Sequence, residues 1–128
     1  MVSLDSSYLI DLLYGEEDAV VKARELDSLS EPRYISAPAA AEVLIGGYRL
    51  GGAYLERTRA IVDGLPMLLF DLEAAHVAGR LGAEMRRRGT NVGQGDLLIA
   101  AISMRHGQRL LSRDKVFPRL PGLETRSY

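Results

Sequence analysis

Asp96 stands at the head of six consecutive apolar residues, Leu97-Leu98-Ile99-Ala100-Ala101-Ile102. A helix that is apolar on every side has no face for water, so this one belongs inside the molecule with layers packed around it. An ionised carboxylate at its start is costly there, because a buried charge loses several kcal/mol of solvation or more unless something compensates. A helix cap is one compensation, the carboxylate accepting a backbone N–H of the first turn. A bound cation is the other.

The rest of the chain repeats the arrangement of short apolar strand, acid and helix. Val2-Ser3-Leu4 runs into Asp5, and Ser6 or Ser7 can cap the helical stretch Tyr8–Tyr14 that Gly15 stops. Glu16-Glu17-Asp18 suit the positive end of a second helix, on which Ala19, Val20, Ala23, Leu26 and Leu29 recur at helical spacing. Arg33–Ala37 is the next expected strand, and Pro38 opens a helix bearing Glu42. Gly46-Gly47 and Gly51-Gly52 weaken that helix and predict a bend or break before Ala53–Val62. Pro66–Phe70 follows as an apolar strand, Asp71 opens a helix to Arg88 rich in small residues, and Gly89–Gly95 reads as a loop. Arg109-Leu110-Leu111 is a strand ending at Ser112-Arg113-Asp114, and Glu124–Arg126 a short edge strand. Helices alternating with short strands call for a parallel sheet covered on both faces, since parallel neighbours need crossover connections. The expected class is α/β, a three-layer α/β/α sandwich around a central parallel sheet.

At 128 residues, 47% of them hydrophobic, the chain has room for a single domain over residues 1–128. Cysteine is absent, which removes thiolate chemistry and Cys-bound metals. No leader or membrane-length apolar segment is evident, so a cytoplasmic protein is expected. The net charge of -1 conceals an asymmetry: residues 1–64 carry 6 basic and 11 acidic side chains, residues 65–128 carry 10 and 6. The basic half is arginine-rich, and Arg86, Arg87, Arg88 and Arg113 are candidates for gripping phosphates, since guanidinium matches phosphate oxygens bidentately. A solvated helix end explains the triple arginine equally simply.

In open parallel sheets ligands bind beyond the carboxyl ends of the strands. Asp5 and Asp114 follow strands directly, while Glu42 and Asp96 lie on early turns of helices that reach the same edge. Each acid has its own structural explanation as a cap, a dipole partner or a turn former. Their repeated location has none. Four carboxylates in one cleft resist joint ionisation, and a divalent cation relieves the conflict. Oxygen-only ligands select magnesium or manganese, ions that promote hydrolysis by activating water and offsetting charge on a phosphate.

Other signals are weaker. Glu73-Ala74-Ala75-His76 has the spacing of di-iron bundles but lacks a second copy and four long helices. His106 has no matched nucleophile. Gly93-Gln94-Gly95 lacks the lysine of a phosphate loop and reads as a turn that starts the buried helix abruptly.

Taken in order, "LDSSYLIDLL", "AAAEVLIGG", "GQGDLLIAAISMRHG" and "LLSRDKVFPRLPGL" resemble the PIN-domain ribonucleases, particularly the VapC-type toxins of toxin–antitoxin pairs. The resemblance spans the chain and implies a Rossmann-like sandwich with magnesium- or manganese-dependent cleavage of RNA. Carried over by position, it implies a catalytic set of Asp5, Glu42, Asp96 and Asp114, with Asp5 and Asp96 as metal ligands and Ser6 and Ser112 as polar support. It also implies an antitoxin partner and a homodimer. Where members of the family carry a further acid before the last motif's phenylalanine, this chain has Val116, which makes one ion the expectation. Two alternatives compete: a magnesium-binding phosphoacceptor receiver-like domain using Asp71, and a PIN-like module that binds RNA or protein without cutting. The first wants an acidic neighbour for Asp5; the second leaves the clustered negative charge without purpose.

Overall fold

The computed structural model describes all 128 residues. Its sheet has five strands: β1 (Val2–Leu4), β2 (Arg33–Ser36), β3 (Met67–Leu68), β4 (Arg109–Leu111) and β5 (Thr125–Arg126). Every neighbouring pair is parallel and the spatial order is β3-β2-β1-β4-β5. Six helices flank it: α1 (Ser6–Leu13), α2 (Glu17–Ser28), α3 (Ala37–Leu50), α4 (Gly52–Asp63), α5 (Leu72–Arg87) and α6 (Gln94–Arg105). Side chains alternate across a sheet, yet Val2, Ser3 and Leu4 are all buried, as are Leu110 and Leu111. Both faces are therefore covered, and the α/β/α sandwich expected from the alternating elements is the observed one.

The strand order places the site. From β1 the chain winds outward through β2 to β3, then returns across β1 to lay down β4 and β5 on the other side. The winding reverses between β1 and β4, and such a reversal opens a crevice at the carboxyl ends of the two strands. Register holds that crevice fixed: Leu4 pairs with Leu111, and the Asp5 N–H donates to the Leu111 carbonyl at 3.0 Å. The residues leaving β1 and β4 there are Asp5 and Ser112.

Two expectations about elements need correction, and one is met. The strand foreseen over Pro66–Phe70 contracts to Met67–Leu68, because its only neighbour, β2, ends at Ser36 opposite Leu68. Ser36 has turned to cap α3, its hydroxyl accepting the Ala39 N–H at 3.4 Å. No backbone remains to pair with Leu69 or Phe70, and both are exposed. The break expected before Ala53 is observed, at Gly51, where φ is +67°, after α3 has run unbroken through Gly46-Gly47 to Leu50. Gly47 instead permits a close helix crossing, since a Cβ there would lie 2.9 Å from Cγ2 of the fully buried Thr58 on α4. Finally, α6 begins at Gln94, so Gly95 lies inside the helix and not in the preceding loop. The short 3₁₀ turn Phe117–Arg119 had no sequence signal beyond Pro118, while β5 lies where the edge strand was expected.

No helix is long and apolar enough to cross a membrane. From Gly95 to Arg105, α6 has no exposed residue, as its all-round apolar composition requires. It packs against α5, α3, β2 and β4, which delivers Asp96 to the crevice.

Candidate active site

Asp5 is buried, 3% exposed, at the end of β1. Its Oδ2 accepts two hydroxyl hydrogen bonds, from Ser7 and from Ser112, each 2.7 Å long. Its Oδ1 is buried with no donor at all. A buried carboxylate oxygen without a partner carries a desolvation penalty that a protein normally avoids, and a bound cation is one thing that would relieve it.

The serines were expected to cap α1. They do not: the cap position is Asp5, and no side chain caps the helix. The hydroxyls orient acids instead. Ser6 donates to Glu42 Oε2 at 2.5 Å, tying the first turn of α1 to α3, while Ser7 turns to Asp5. Ser112 is a hub, giving its proton to Asp5 and accepting the Asp114 N–H at 3.0 Å. Asp114 Oδ1 in turn accepts the Val116 N–H at 3.1 Å, which folds the loop after β4.

Asp96 answers the question raised by its apolar surroundings. It does not cap α6, whose cap position is Gly93 without a side-chain bond. Its carboxyl is pushed up to about 6, first by burial and then by the negative fields of Asp114, Asp5 and Glu42. Three acids thus act on Asp96 across the crevice. None of them has an ion-pair partner. No three of these groups stand close enough to form a ready-made cage around an ion. An all-oxygen set of this kind, with one orphaned buried oxygen, fits a hard cation that keeps part of its water shell and reaches some carboxylates through it.

Two contributors escaped the sequence reading. Ser7 supplies half of the Asp5 Oδ2 coordination; its signal was a second hydroxyl residue in the first helical turn after the acid. Gly95 matters because a Cβ there would stand 2.7 Å from Glu42 Oε1. Its lack of a side chain lets the Glu42 carboxylate approach α6, something only the packing of α3 on α6 reveals.

The other flagged residues fall elsewhere. Asp71 caps α5, accepting the Ala74 N–H at 2.8 Å, and pairs with Arg105 at 3.2 Å. It follows the edge strand β3 and is absent from the acids acting on Asp96, which leaves the receiver-like alternative without its acceptor. His76 lies exposed on α5 and not in the core, and His106 sits 3.5 Å from the Leu69 carbonyl. Arg87 and Arg88 pair with Glu84 on the exposed end of α5. Arg86 and Arg87 line an open groove of about 950 Å³ that reaches Leu97, the neighbour of Asp96. Arg113 pairs with Asp11.

Comparisons with known proteins give matches over nearly the whole chain. Residues 2–123 match the family model for the PIN domain. Ribonuclease VapC1 of Rickettsia felis is 31% identical over 94% of this chain and 91% of its own length. The tRNA(fMet)-specific endonuclease VapC of Salmonella typhimurium is 36% identical over 53% of this chain and 55% of its own. Among solved structures, VapBC2 from Rickettsia felis bound to a promoter DNA fragment superposes with a TM-score of 0.84 at 22% identity, covering 100% of this chain and 99% of that one.

Proposed function

This chain belongs to the PIN-domain family, and on that footing we propose that it is a metal-dependent endoribonuclease, the toxin of a toxin–antitoxin pair, with Asp5, Glu42, Asp96 and Asp114 as its catalytic acids. The observation that carries the reading is the electrostatic stress at the crevice, where Asp96 is driven up by burial and then by three other acids, and Asp5 keeps one oxygen unpartnered. The VapC relative 31% identical over nearly the whole chain, a protein named as a ribonuclease, supports the same chemistry.

Asp5 and Asp96 are the proposed metal ligands, Asp5 through its free Oδ1, with Glu42 and Asp114 acting directly or through water. Magnesium or manganese is the proposed ion, and a single site suits the Val116 departure. When bound, the ion would make water a stronger nucleophile and offset charge growing on the phosphate. The chain's own residues prepare the ground. Ser7 and Ser112 lock Asp5 Oδ2, so the carboxylate presents one oxygen; Ser6 fixes the direction of Glu42; the loop after β4 holds Asp114 at the mouth. Water adds to phosphorus and one P–O bond to ribose breaks, leaving a phosphate monoester and a hydroxyl. Arg86, Arg87 and Arg88, on the groove and helix end leading to Leu97, and Arg113 beside the acids are the proposed phosphate contacts.

The reading extends to residues 1–128 as one domain, a cytoplasmic setting, a cognate antitoxin and a homodimer. The solved VapBC2 and FitAB assemblies that share this fold support the partnership. The test is cleavage of transfer and messenger RNA under controlled manganese. Asp5→Asn and Asp96→Asn should lower the rate at least a hundredfold while the circular dichroism spectrum stays native; variants that cut as fast as wild type would refute the reading.

A further inference from the structure

Arg113 stands between Ser112, which is bonded to Asp5, and Asp114, yet its guanidinium is committed to neither of the nearby acids. Its one ion pair is with Asp11, 3.1 Å from Nη2 to Oδ1. Asp11 lies one helical turn beyond Ser7 on α1 and is itself buried. Its other oxygen accepts a 2.6 Å hydrogen bond from the Tyr128 hydroxyl. Tyr128 is braced in turn by an edge-on contact with the ring of Tyr8, centroids 4.9 Å apart. A buried carboxylate of this kind is stable only while paired, so the anchor is committed to its two partners. Arg113, by contrast, is 63% exposed.

We propose that Asp11 and Tyr128 are positioning residues that hold Arg113 beside the acid crevice as an arm for an RNA phosphate. A guanidinium has five N–H donors. The pair with Asp11 fixes its direction through one nitrogen and leaves the remaining donors facing solvent, in the fork that suits a phosphate. The same tether stops the arginine from folding onto Asp5 or Asp114 and neutralising the acids meant for a cation.

The inference rests on the ribonuclease reading, and steady-state cleavage of a single-stranded RNA oligonucleotide by the full chain separates the two. Arg113→Ala should raise KM about tenfold with kcat within about twofold, and should reduce the salt dependence of log KM by ~0.7, the value for one phosphate contact on a single strand. Arg113→Lys should restore the salt dependence without the full affinity, because it keeps charge and loses the fork. Tyr128→Phe keeps the ring contact and removes only the hydroxyl; it should raise KM about threefold, with a melting temperature within a few degrees of wild type. Unchanged KM and salt dependence in Arg113→Ala and Tyr128→Phe would overturn the inference, as would losses confined to kcat and melting temperature. Asp5→Asn run alongside reads the parent claim: an inactive Asp5→Asn beside an unaffected Arg113→Ala sinks only the positioning role, whereas an active Asp5→Asn sinks the nuclease.

Discussion

At Asp96, ordinary carboxylate chemistry gives way to the demands of the crevice. The ordinary value is 3.8, and in the folded chain the group stands at about 6. Between those values the folded state holds a proton that the unfolded chain has released, so stability declines as pH rises through the window, and the penalty is complete above it. Asp96→Asn removes the charge and keeps the shape. Compared with wild type in the presence of a chelator, the variant should be equally stable near pH 4 and more stable by about 1–2 kcal/mol above pH 7, allowing for solvent screening of a half-buried group. Urea melts at the two pH values measure this. A difference that stays flat with pH would mean that neither burial nor the neighbouring acids raise Asp96. Saturating manganese should cancel the advantage, since wild type alone can use the ion.

At the scale of elements, the crevice depends on two helices that approach closely because one residue has no side chain. An alanine at position 95 would place its Cβ 2.7 Å from the end of the Glu42 side chain. The glutamate can swing aside cheaply, and alanine improves helix propensity by about 1 kcal/mol. Gly95→Ala should therefore leave the melting temperature unchanged or raised while RNA cutting drops at least tenfold; full activity would show that the placement of Glu42 is irrelevant. This contact also marks how far the residues could be read unaided. Strand-end acids and the buried helix were legible, because an acid before an all-apolar run and a period-3.6 pattern are local signals. Ser7 and Gly95 were not, because their roles exist only once α1, α3 and α6 meet. The shortened β3 was illegible for the same reason: Leu69 and Phe70 have strand-like composition, and only the early end of β2 denies them a partner.

For the whole molecule, the reversal of winding between β1 and β4 is what brings Asp5, Glu42 and Asp114, distant in sequence, within electrostatic reach of Asp96. Asp5 and Asp114 are separated by more than a hundred residues, yet Ser112 links them through two hydrogen bonds. The charge asymmetry between the halves acquires a spatial meaning on the same fold: the amino-terminal half supplies Asp5 and Glu42, and the carboxyl-terminal half supplies Asp96, Asp114 and the arginines around them. On the proposed reading, the site gathers negative charge for a cation. Calorimetric titration of manganese into the apo chain at pH 7.5 asks whether it does so. Wild type should take up a single ion with saturable heat, and Asp5→Asn and Asp96→Asn should each weaken the uptake at least tenfold. Absence of binding by folded wild type, or equal binding by both variants, would contradict the shared-ion site.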